Sequence, residues 1–415
     1  MMKIQDEAII KSLLDIDFYK FTMGQLIFKK HKDVPVRFKL TNRTSSVSLS
    51  KMIPLEQLKE QLDHVRTLRF NNSELHYLRG TNEYQERMFQ EDYLQFLKNM
   101  QVPQYQLEYN GDDLILELLG SWSETTYWET ICLSIINELY YRNLMLQKSR
   151  LAQDAIFATG VKNLLDKVKV LRKCPGLTFT DFGTRRRFSR PWQKYVVEMM
   201  MAELPQQLKG TSNTKLAMDL GLMPTGTAAH EMDMGYSGIY HSSDEEIYGS
   251  HKRFLHDWRE MYGWGLSIDL TDTYGSNFFF KEFTHEEAVF DKGLRQDSGE
   301  PIEFGLKALE FYIKEGINPK EKMLIFSDGL WAEKMIDIYR YFHKDIMTTF
   351  GWGTDLTNDL CLKPLSLVIK LVEANGHGTV KLSDNLSKAI GRPEDVERFK
   401  RIFGYKNNFS ETCKY

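Results

Sequence analysis

The feature of this sequence that most limits its fold is an alternation of short apolar segments with longer amphipathic ones, which begins near residue 150. Segments such as PIEFGLKALEFYIKEG and WAEKMIDIYRYFHK have helical spacing and separate most of the short ones. The eight candidate strands are LTFTDFG, QQLKGTS, LMPTGT, LSIDLTD, AVFDKGLRQD, MLIFSDG, IMTTFGWGT and LSLVIKLVEA. This alternation is typical of both an open doubly wound sheet and a (β/α) barrel, and the count of eight favours the barrel.

Polar residues and glycines gather directly after the apolar run in six of these segments. The carboxyl ends of parallel strands meet on one rim, which is where a barrel builds its active site. We therefore expect these residues to share one rim. They are Asp181-Phe182-Gly183, Gly210-Thr211-Ser212, Thr225-Gly226-Thr227, Arg295-Gln296-Asp297, Ser327-Asp328-Gly329 and Gly351-Trp352-Gly353-Thr354.

The first 145 residues or so differ from this pattern and predict a mixed α/β module. SLLDIDFYKFTMGQLIFKK has helical spacing, and VPVRFKLTN alternates like a strand. YQLEYNGDDLILELL predicts a hairpin that turns at Asn110-Gly111. The strongly apolar helix YWETICLSIINELYYRNLM leads into the next unit.

Composition and charge exclude several classes of protein. Hydrophobic residues make up 42% and charged residues 27% of the 415 positions, as in ordinary folded chains, and the net charge of −3 argues against nucleic-acid binding as the main function. Acidic residues interrupt the apolar residues of the amino-terminal segment, and no stretch approaches the roughly 18 apolar residues of a membrane span. A cytoplasmic location is expected. The chain has four cysteines, Cys132, Cys174, Cys361 and Cys413. None of them belongs to a C-x-x-C pair, so the sequence predicts neither a disulfide framework nor a zinc knuckle.

Three motifs at the predicted strand ends suit anions. GWGTD and SDGL supply glycine amides that can approach a phosphate closely, although either could be a simple tight turn. Because they follow successive late strands, together they indicate a phosphorylated ligand. DFGTRRRFSRPW carries four arginines that could form a solvated basic face, but Arg185 is nearest the strand and could turn into a pocket.

Arg295 and Asp297 lie two positions apart in GLRQDSGEP, so both side chains point the same way from an extended segment. They could form an ion pair that lines a barrel interior. Alternatively, the cation could meet a substrate anion while the carboxylate holds a hydroxyl, a magnesium ion or a developing positive charge. Both interpretations place the pair on the rim.

His230, in PTGTAAHEMD, has three interpretations. Metal binding requires partners, and the nearby His241 lacks the helical spacing of a metalloprotease motif. A histidine at a turn can also be a structural, hydrogen-bonded residue. The third interpretation is a neutral imidazole nucleophile oriented by Glu231 or Asp233. The residues alone do not choose among the three.

Seven motifs in this order resemble the nicotinate phosphoribosyltransferase family: DIDFYK, TDFGTRRRFS, GTSN, PTGTAAHE, GLRQDSG, FSDGL and FGWGT. The likeness spans residues 13 to 385 or so. It implies an irregular (β/α) TIM-like barrel with an additional α/β sandwich domain. We expect the barrel, the catalytic domain, at residues 146–371 and the mixed domain at residues 1–145, completed by residues 372–415.

The resemblance implies that the ring nitrogen of nicotinate attacks phosphoribosyl pyrophosphate, giving nicotinate mononucleotide and pyrophosphate. It further implies coupling to ATP hydrolysis through a phosphorylated histidine, which matches His230. Phe182 and Tyr19 match aromatic residues that stack on the two faces of the pyridine ring. Because the family residue matched by Tyr19 comes from a second subunit, a homodimer is implied.

Further matches define the predicted sugar and phosphate contacts. Arg185 and Arg295 match arginines that line the nicotinate and sugar-phosphate pocket, and Asp297 with Asp328 matches carboxylates near the ribose and its Mg²⁺. With His230, we expect Asp297 and Arg295 to be the catalytic residues. The residues that match the 5′-phosphate loops are Gly329, Gly351, Gly353 and Thr354.

Ser212 matches the position that separates nicotinate from nicotinamide, because the related nicotinamide enzyme carries a carboxylate there. A serine favours the acid. Trp352, Asp355 and Met232 depart from the family pattern, and residues 391–415 match nothing in it. The competing hypotheses are a nicotinamide or quinolinate phosphoribosyltransferase and a non-catalytic sensor of phosphoribosyl ligands, for which a nucleophile would be superfluous.

Overall fold

A computed structural model describes residues 7–44, 46–83, 86–406 and Glu411, so Cys413 and most of residues 407–415 lie outside the described residues. In chain order, the strands are β1 (Pro35–Asn42), β2 (Asn82–Glu83), β3 (Glu86–Arg87), β4 (Tyr105–Asn110), β5 (Asp113–Ser121), β6 (Thr178–Asp181), β7 (Leu208–Thr211), β8 (Ile268–Leu270), β9 (Gly293–Gln296), β10 (Met323–Phe326), β11 (Met347–Trp352), β12 (Leu367–Ala374) and β13 (His377–Gly378).

The helices of the same residues are α1 (Tyr19–Lys30), α2 (Leu49–Met52), α3 (Leu55–Thr67), α4 (Asn72–Gly80), α5 (Glu91–Asn99), α6 (Trp122–Thr125), α7 (Trp128–Leu146), α8 (Arg150–Leu171), α9 (Arg190–Glu203), α10 (Thr214–Leu220), α11 (His230–Ile239), α12 (Asp244–Tyr262), α13 (Ser276–Glu282), α14 (His285–Phe290), α15 (Pro301–Lys314), α16 (Ala332–Phe342), α17 (Thr354–Thr357) and α18 (Pro393–Ile402). Short 3₁₀ turns occupy Thr184–Arg186, Gly263–Leu266, Pro319–Glu321 and Leu386–Lys388.

Six of the predicted strands form one parallel sheet in the order β7-β6-β11-β10-β9-β8. Aromatic side chains fill its core, where Phe350 of β11 stands opposite both Phe179 of β6 and Phe326 of β10. All three rings are buried, which is how a parallel sheet covered by helices stabilises its strands. The prediction of a parallel α/β sheet is confirmed.

The prediction of eight barrel strands is wrong for LMPTGT and LSLVIKLVEA, and the strand predicted in AVFDKGLRQD is too long. LMPTGT contributes a single parallel bridge between Pro224 and Thr211 of β7, because proline has no amide hydrogen for a regular ladder. In AVFDKGLRQD the strand is β9 alone, since the preceding residues end α14, whose capping box of Thr284 and Glu287 starts a helix. β7 and β8 stand at the two edges of the sheet in the described residues, so a closed barrel stays a prediction.

The eighth segment, LSLVIKLVEA, lies in a different sheet. As β12 it pairs antiparallel with β1, in an antiparallel sheet of order β13-β12-β1-β5-β4. An apolar run does not specify whether the neighbouring strand is parallel or antiparallel, so the sequence pattern of this segment did not reveal to which sheet it belongs. The predicted hairpin is confirmed, with β4 and β5 meeting at the turn after Asn110. The expected domain division between residues 371 and 372 falls within β12, and the domain boundaries stay a prediction.

The segment before α1 lies against the carboxyl end of β7 and fixes the position of α1. Phe18 donates its backbone N–H to the carbonyl of Ser212 at 2.6 Å, and Asp17 forms a β-bridge with Asn213. Thr214 N–H donates to the Ile16 carbonyl at 3.0 Å. These contacts hold the first residues of α1 at the rim of the parallel sheet.

Across the described ranges, every helix is too short or too polar to cross a membrane.

Candidate active site

All twelve predicted site residues line one cavity of about 320 Å³ at the carboxyl ends of the parallel strands. The cavity also borders β12 and the residues after it, so the second sheet contributes to its wall. The predicted residues that line it are Tyr19, Phe182, Arg185, Ser212, His230, Arg295, Asp297, Asp328, Gly329, Gly351, Gly353 and Thr354. These residues lie together at one rim, as expected, while their chemical roles stay predictions.

Two glycines make room for the two aromatic residues. A Cβ at Gly351 would lie 2.3 Å from the ring of Phe182, and one at Gly226 would lie 2.7 Å from the backbone nitrogen of Tyr19. Real Cβ atoms do not approach other atoms this closely, so both positions need glycine. The glycine at 351 is therefore explained by Phe182, in addition to any contact with phosphate.

The expectation that a second subunit supplies Tyr19 stays a prediction. Tyr19 of the same chain lines the cavity, and its hydroxyl accepts a hydrogen bond from Arg185 Nη1 at 3.2 Å. The preceding residues dock against β7, which leaves the start of α1 at the rim. The implied homodimer likewise stays a prediction.

The arginine-rich turn divides into a cavity residue and a structural one. Arg185 lines the cavity and lies 3.7 Å from the buried carboxylate of Glu129. Arg187, in contrast, is fully buried and binds both carboxylate oxygens of Asp15 at 2.7 and 2.8 Å. A solvated basic face, one interpretation of the arginine-rich motif, is therefore wrong for Arg187.

His230 is the first residue of α11, and both of its ring nitrogens have partners. Nδ1 lies 2.9 Å from the hydroxyl oxygen of Thr273, and Nε2 lies 3.1 Å from Oδ2 of Asp297 and 3.6 Å from Oδ1 of Asp272. The ring is buried, so these neighbours fix its orientation. Arg295 and Asp297 line the same cavity, as their spacing predicts.

The two acidic neighbours of His230 have different roles. Asp233 reaches the ring through Thr273, whose hydroxyl donates to Asp233 Oδ2 at 2.8 Å, while Asp233 Oδ1 lies 2.7 Å from Nδ1 of His251. Glu231 instead lies in a buried network, where Lys20 Nζ contacts it at 2.5 Å and Trp122 Nε1 donates to it at 2.8 Å. Asp233 is thus the residue that orients His230.

Burial and neighbouring charges set the protonation of this pair. Burial lowers the pKa of His230, and the positive charge of Lys381 lowers it further. Burial alone would raise the pKa of Asp297, but the hydrogen bond with His230 and the charge of Arg295 hold it well below its usual range. Both directions favour a neutral imidazole beside an ionised carboxylate, and the single ring proton is then donated either to Thr273 or to Asp297.

Asp272, not Asp328, joins Asp297 in the acidic cluster of the cavity. Donor atoms of His230, Asp272 and Asp297 lie within 4.8 Å of one another. Asp272 Oδ1 is buried without a hydrogen-bond partner, whereas Asp328 is paired with Lys388 at 2.5 Å. Two carboxylates with a spare oxygen suit Mg²⁺, which prefers oxygen ligands.

Ser212 has a buried acidic partner that the sequence did not predict. Its hydroxyl donates to Oδ1 of Asp17 at 2.6 Å, and Asp17 also lines the cavity. Burial raises the pKa of Asp17, against the opposing charge of Arg185. Because a hydroxyl has one proton, Ser212 can donate to a ligand only when Asp17 itself carries a proton.

A set of cations in the cavity wall, three of them lysines from β12 and the residues after it, was not predicted from the sequence. Burial lowers the pKa of Lys370 to about 8, and it lies 3.1 Å from Glu129. Lys388 bridges the Asp297 carbonyl at 2.8 Å and Asp328, and Lys381 lies 3.8 Å from Asp272. With Arg43, these side chains add positive charge to the cavity. A lysine inside the apolar run LVIKLV is the one sequence signal for this group.

The fold and the cavity together define an α/β protein whose cavity, at the carboxyl ends of a parallel sheet, combines aromatic side chains, glycines and cations. The chain matches the Nicotinate phosphoribosyltransferase (NAPRTase) family over residues 177–407 and the NAPRTase N-terminal domain over residues 14–137. It therefore belongs to the nicotinate phosphoribosyltransferase family and is a phosphoribosyltransferase.

Solved structures agree with this family. Nicotinate phosphoribosyltransferase from Vibrio cholerae is 31% identical, with a TM-score of 0.88 over 97% of this chain and 96% of that one. The enzyme from Porphyromonas gingivalis is 29% identical, with a TM-score of 0.85 over 95% of this chain and 100% of that one. A putative nicotinate phosphoribosyltransferase from Saccharomyces cerevisiae is 30% identical, with a TM-score of 0.83 over 97% of this chain and 100% of that one.

Proposed function

We propose that this chain transfers the phosphoribosyl group of phosphoribosyl pyrophosphate to nicotinate, the first step of NAD synthesis from nicotinate. The ring nitrogen of nicotinate bonds to the anomeric carbon as the bond from that carbon to pyrophosphate breaks. The observation that carries the proposal is one cavity that combines two aromatic side chains, phosphate-suited glycine loops and a buried cation set in a chain of this family.

The nicotinate ring stacks between Phe182 and Tyr19, and its carboxylate binds Arg185. The hydroxyl of Ser212 donates to the same carboxylate when Asp17 is protonated, which the raised pKa of Asp17 favours. An ionised Asp17 would instead accept from an amide nitrogen. This is the observation that favours the second candidate, a nicotinamide phosphoribosyltransferase.

The phosphates of phosphoribosyl pyrophosphate have two sets of partners. Gly329, Gly353 and Thr354 bind the 5′-phosphate through backbone amides and a hydroxyl. The departing pyrophosphate is stabilised by Arg295 together with the cation set of the cavity wall, which consists of Arg43, Lys370, Lys381 and Lys388. The carboxylate of Asp297 stabilises positive charge that develops on the ribose.

ATP hydrolysis is coupled through His230. Its Nε2 attacks the γ-phosphorus of ATP, so that a P–N bond forms, the bond to the ADP oxygen breaks, and water later releases phosphate. Attack through Nε2 requires the proton on Nδ1, and the Thr273 hydroxyl oxygen accepts a hydrogen bond from Nδ1–H because its own proton is donated to Asp233. The start of α11 further favours a phosphoryl group at this position.

Asp272 and Asp297 are the residues that would hold Mg²⁺, because their carboxylates lie together and Oδ1 of Asp272 accepts no hydrogen bond. When bound, the ion would neutralise phosphate charge in the cavity.

Pyrophosphate release tests the proposed reaction. Purified protein given phosphoribosyl pyrophosphate, ATP and either nicotinate or nicotinamide should release pyrophosphate with nicotinate, because Arg185 needs an anionic partner. Faster release with nicotinamide would favour the second candidate. Binding of phosphoribosyl pyrophosphate with no release by either substrate would favour a sensor.

A further inference from the structure

The loop between β8 and α13, residues 271–275, carries both Asp272 and Thr273, and the carboxyl-terminal segment of residues 379–405 holds this loop in place. Leu382 and Ser383 donate their backbone N–H groups to the carbonyl of Thr273 at 2.8 and 3.3 Å. The backbone of the residue that contacts His230 is therefore anchored from the carboxyl-terminal segment.

Aromatic side chains also pack the loop against the carboxyl-terminal segment. The ring of Tyr274 stacks on Phe403 with centroids 3.9 Å apart and planes 5° apart, and its hydroxyl donates to the Asp233 carbonyl at 3.0 Å. Tyr405 packs against Gly275, where an added Cβ would lie 3.0 Å from the tyrosine ring. Its hydroxyl donates to the carbonyl of Ser383 at 2.5 Å. The loop is thus packed between α11 and the residues after α18.

Ser383, in the carboxyl-terminal segment, contacts both Thr273 and Asp272 of the loop. It is fully buried and has a φ of 68°, in the left-handed region that non-glycine residues seldom adopt. Its hydroxyl donates to Oδ2 of Asp272 at 3.2 Å. Strained conformations persist where the surrounding structure over-determines them, and here the strained residue contacts two of the three neighbours of His230, Asp272 and Thr273.

We infer that the carboxyl-terminal segment positions His230 for phosphoryl transfer, with Phe403 and Tyr405 as positioning residues that act through Tyr274 and Thr273. The inference rests on the proposed coupling of ATP hydrolysis through His230. It gives a role to residues 379–405, which include the part of the chain, from residue 391 onward, that the sequence motifs left without a function.

Two tyrosine variants test the inference with matched chemistry. Tyr405→Phe removes the hydroxyl that bonds to Ser383, and Tyr248→Phe removes one that donates to Glu282 at 2.5 Å instead. Both rings belong to one aromatic cluster, since Tyr248 stacks on Phe403 at 5.9 Å. Tyr405→Phe should slow labelling of the chain by γ-labelled ATP about tenfold, because small misplacements of a reacting group are costly.

Readouts separate positioning from general stability. ATP-independent transfer to nicotinate and the thermal midpoint of Tyr405→Phe should equal those of Tyr248→Phe. Phe403→Ala should slow labelling as well, and Phe403→Tyr, which keeps the stacked ring, should restore it.

Two results would overturn the inference: labelling of Tyr405→Phe at the same rate as Tyr248→Phe, whether or not both are slowed, or a parallel loss of ATP-independent transfer in Tyr405→Phe. Failure of the unmodified chain to be labelled would instead remove the proposed coupling, and the inference with it.

Discussion

The Nδ1 atom of His230 lies 2.9 Å from the hydroxyl oxygen of Thr273, whose own proton is donated to Asp233 at 2.8 Å. This arrangement favours the imidazole proton on Nδ1, in competition with Asp297, which lies 3.1 Å from Nε2. Thr273→Val keeps the shape of the side chain but removes the acceptor. We expect ATP-dependent phosphorylation to slow by about ten- to a hundredfold, as loss of orientation does elsewhere, in rapid-quench measurements.

Thr273→Ser is the control, because it keeps the hydroxyl and should phosphorylate at a rate close to that of the unmodified chain. If valine and serine behave alike, the hydroxyl does not orient the ring.

Asp17 predicts how nicotinate binding depends on pH. Because burial raises its pKa, Asp17 keeps its proton to higher pH than an ordinary carboxyl group, and Ser212 is then free to donate to the substrate. As pH rises through the raised pKa, a negative charge appears beside the substrate carboxylate. The KM for nicotinate should therefore rise with pH.

Asp17→Asn has no such proton and should show a KM for nicotinate that is nearly independent of pH over the same range. If the KM of Asp17→Asn rose with pH as it does in the unmodified chain, Asp17 would not be the group that causes the pH dependence.

Gly351 should be required for nicotinate binding because of its contact with Phe182. An alanine Cβ would lie 2.3 Å from the aromatic ring and would displace it. Overpacking of this kind costs about 1–3 kcal/mol, and about 1.4 kcal/mol corresponds to a tenfold change in binding, so the KM for nicotinate should rise about tenfold in Gly351→Ala. Steady-state kinetics with varied nicotinate measures this change.

Gly249→Ala is the comparison, since a Cβ at Gly249 in α12 meets nothing within 4 Å and should leave the KM unchanged. Equal KM values in the two variants would show that the Phe182 ring is not displaced.

Tyr19 and Phe182 of one chain line the same cavity, so the site should be complete within one chain. Tyr19→Ala and Phe182→Ala should each lower transfer to nicotinate, because each removes one stacking face. Mixing the two variants after partial unfolding and refolding should restore no activity. Recovery toward a quarter of normal activity would mean that a second chain supplies one ring.

Much of this site was predictable, because strand ends carry local signals. The same rule that selected Asp297 and Asp328 also applies to LSIDLTD, whose last residues lead into Thr273. Contacts between distant positions gave no such signal. The burial of Arg187 depends on Asp15, 172 positions away, and the sheet that contains β12 depends on its pairing with β1. The sequence around Lys370 is that of an ordinary strand, and this lysine lines the cavity only because both sheets contribute to the cavity wall.

The most direct test of the central claim is the fate of the γ-phosphate of ATP. Unmodified protein incubated with γ-labelled ATP should acquire acid-labile phosphate, and nicotinate with phosphoribosyl pyrophosphate should discharge it as pyrophosphate is released. His230→Asn should acquire none while it retains some ATP-independent transfer. Labelling that survives in His230→Asn, or labelling that does not respond to the two substrates, would contradict the assignment of His230 as the phosphorylated residue.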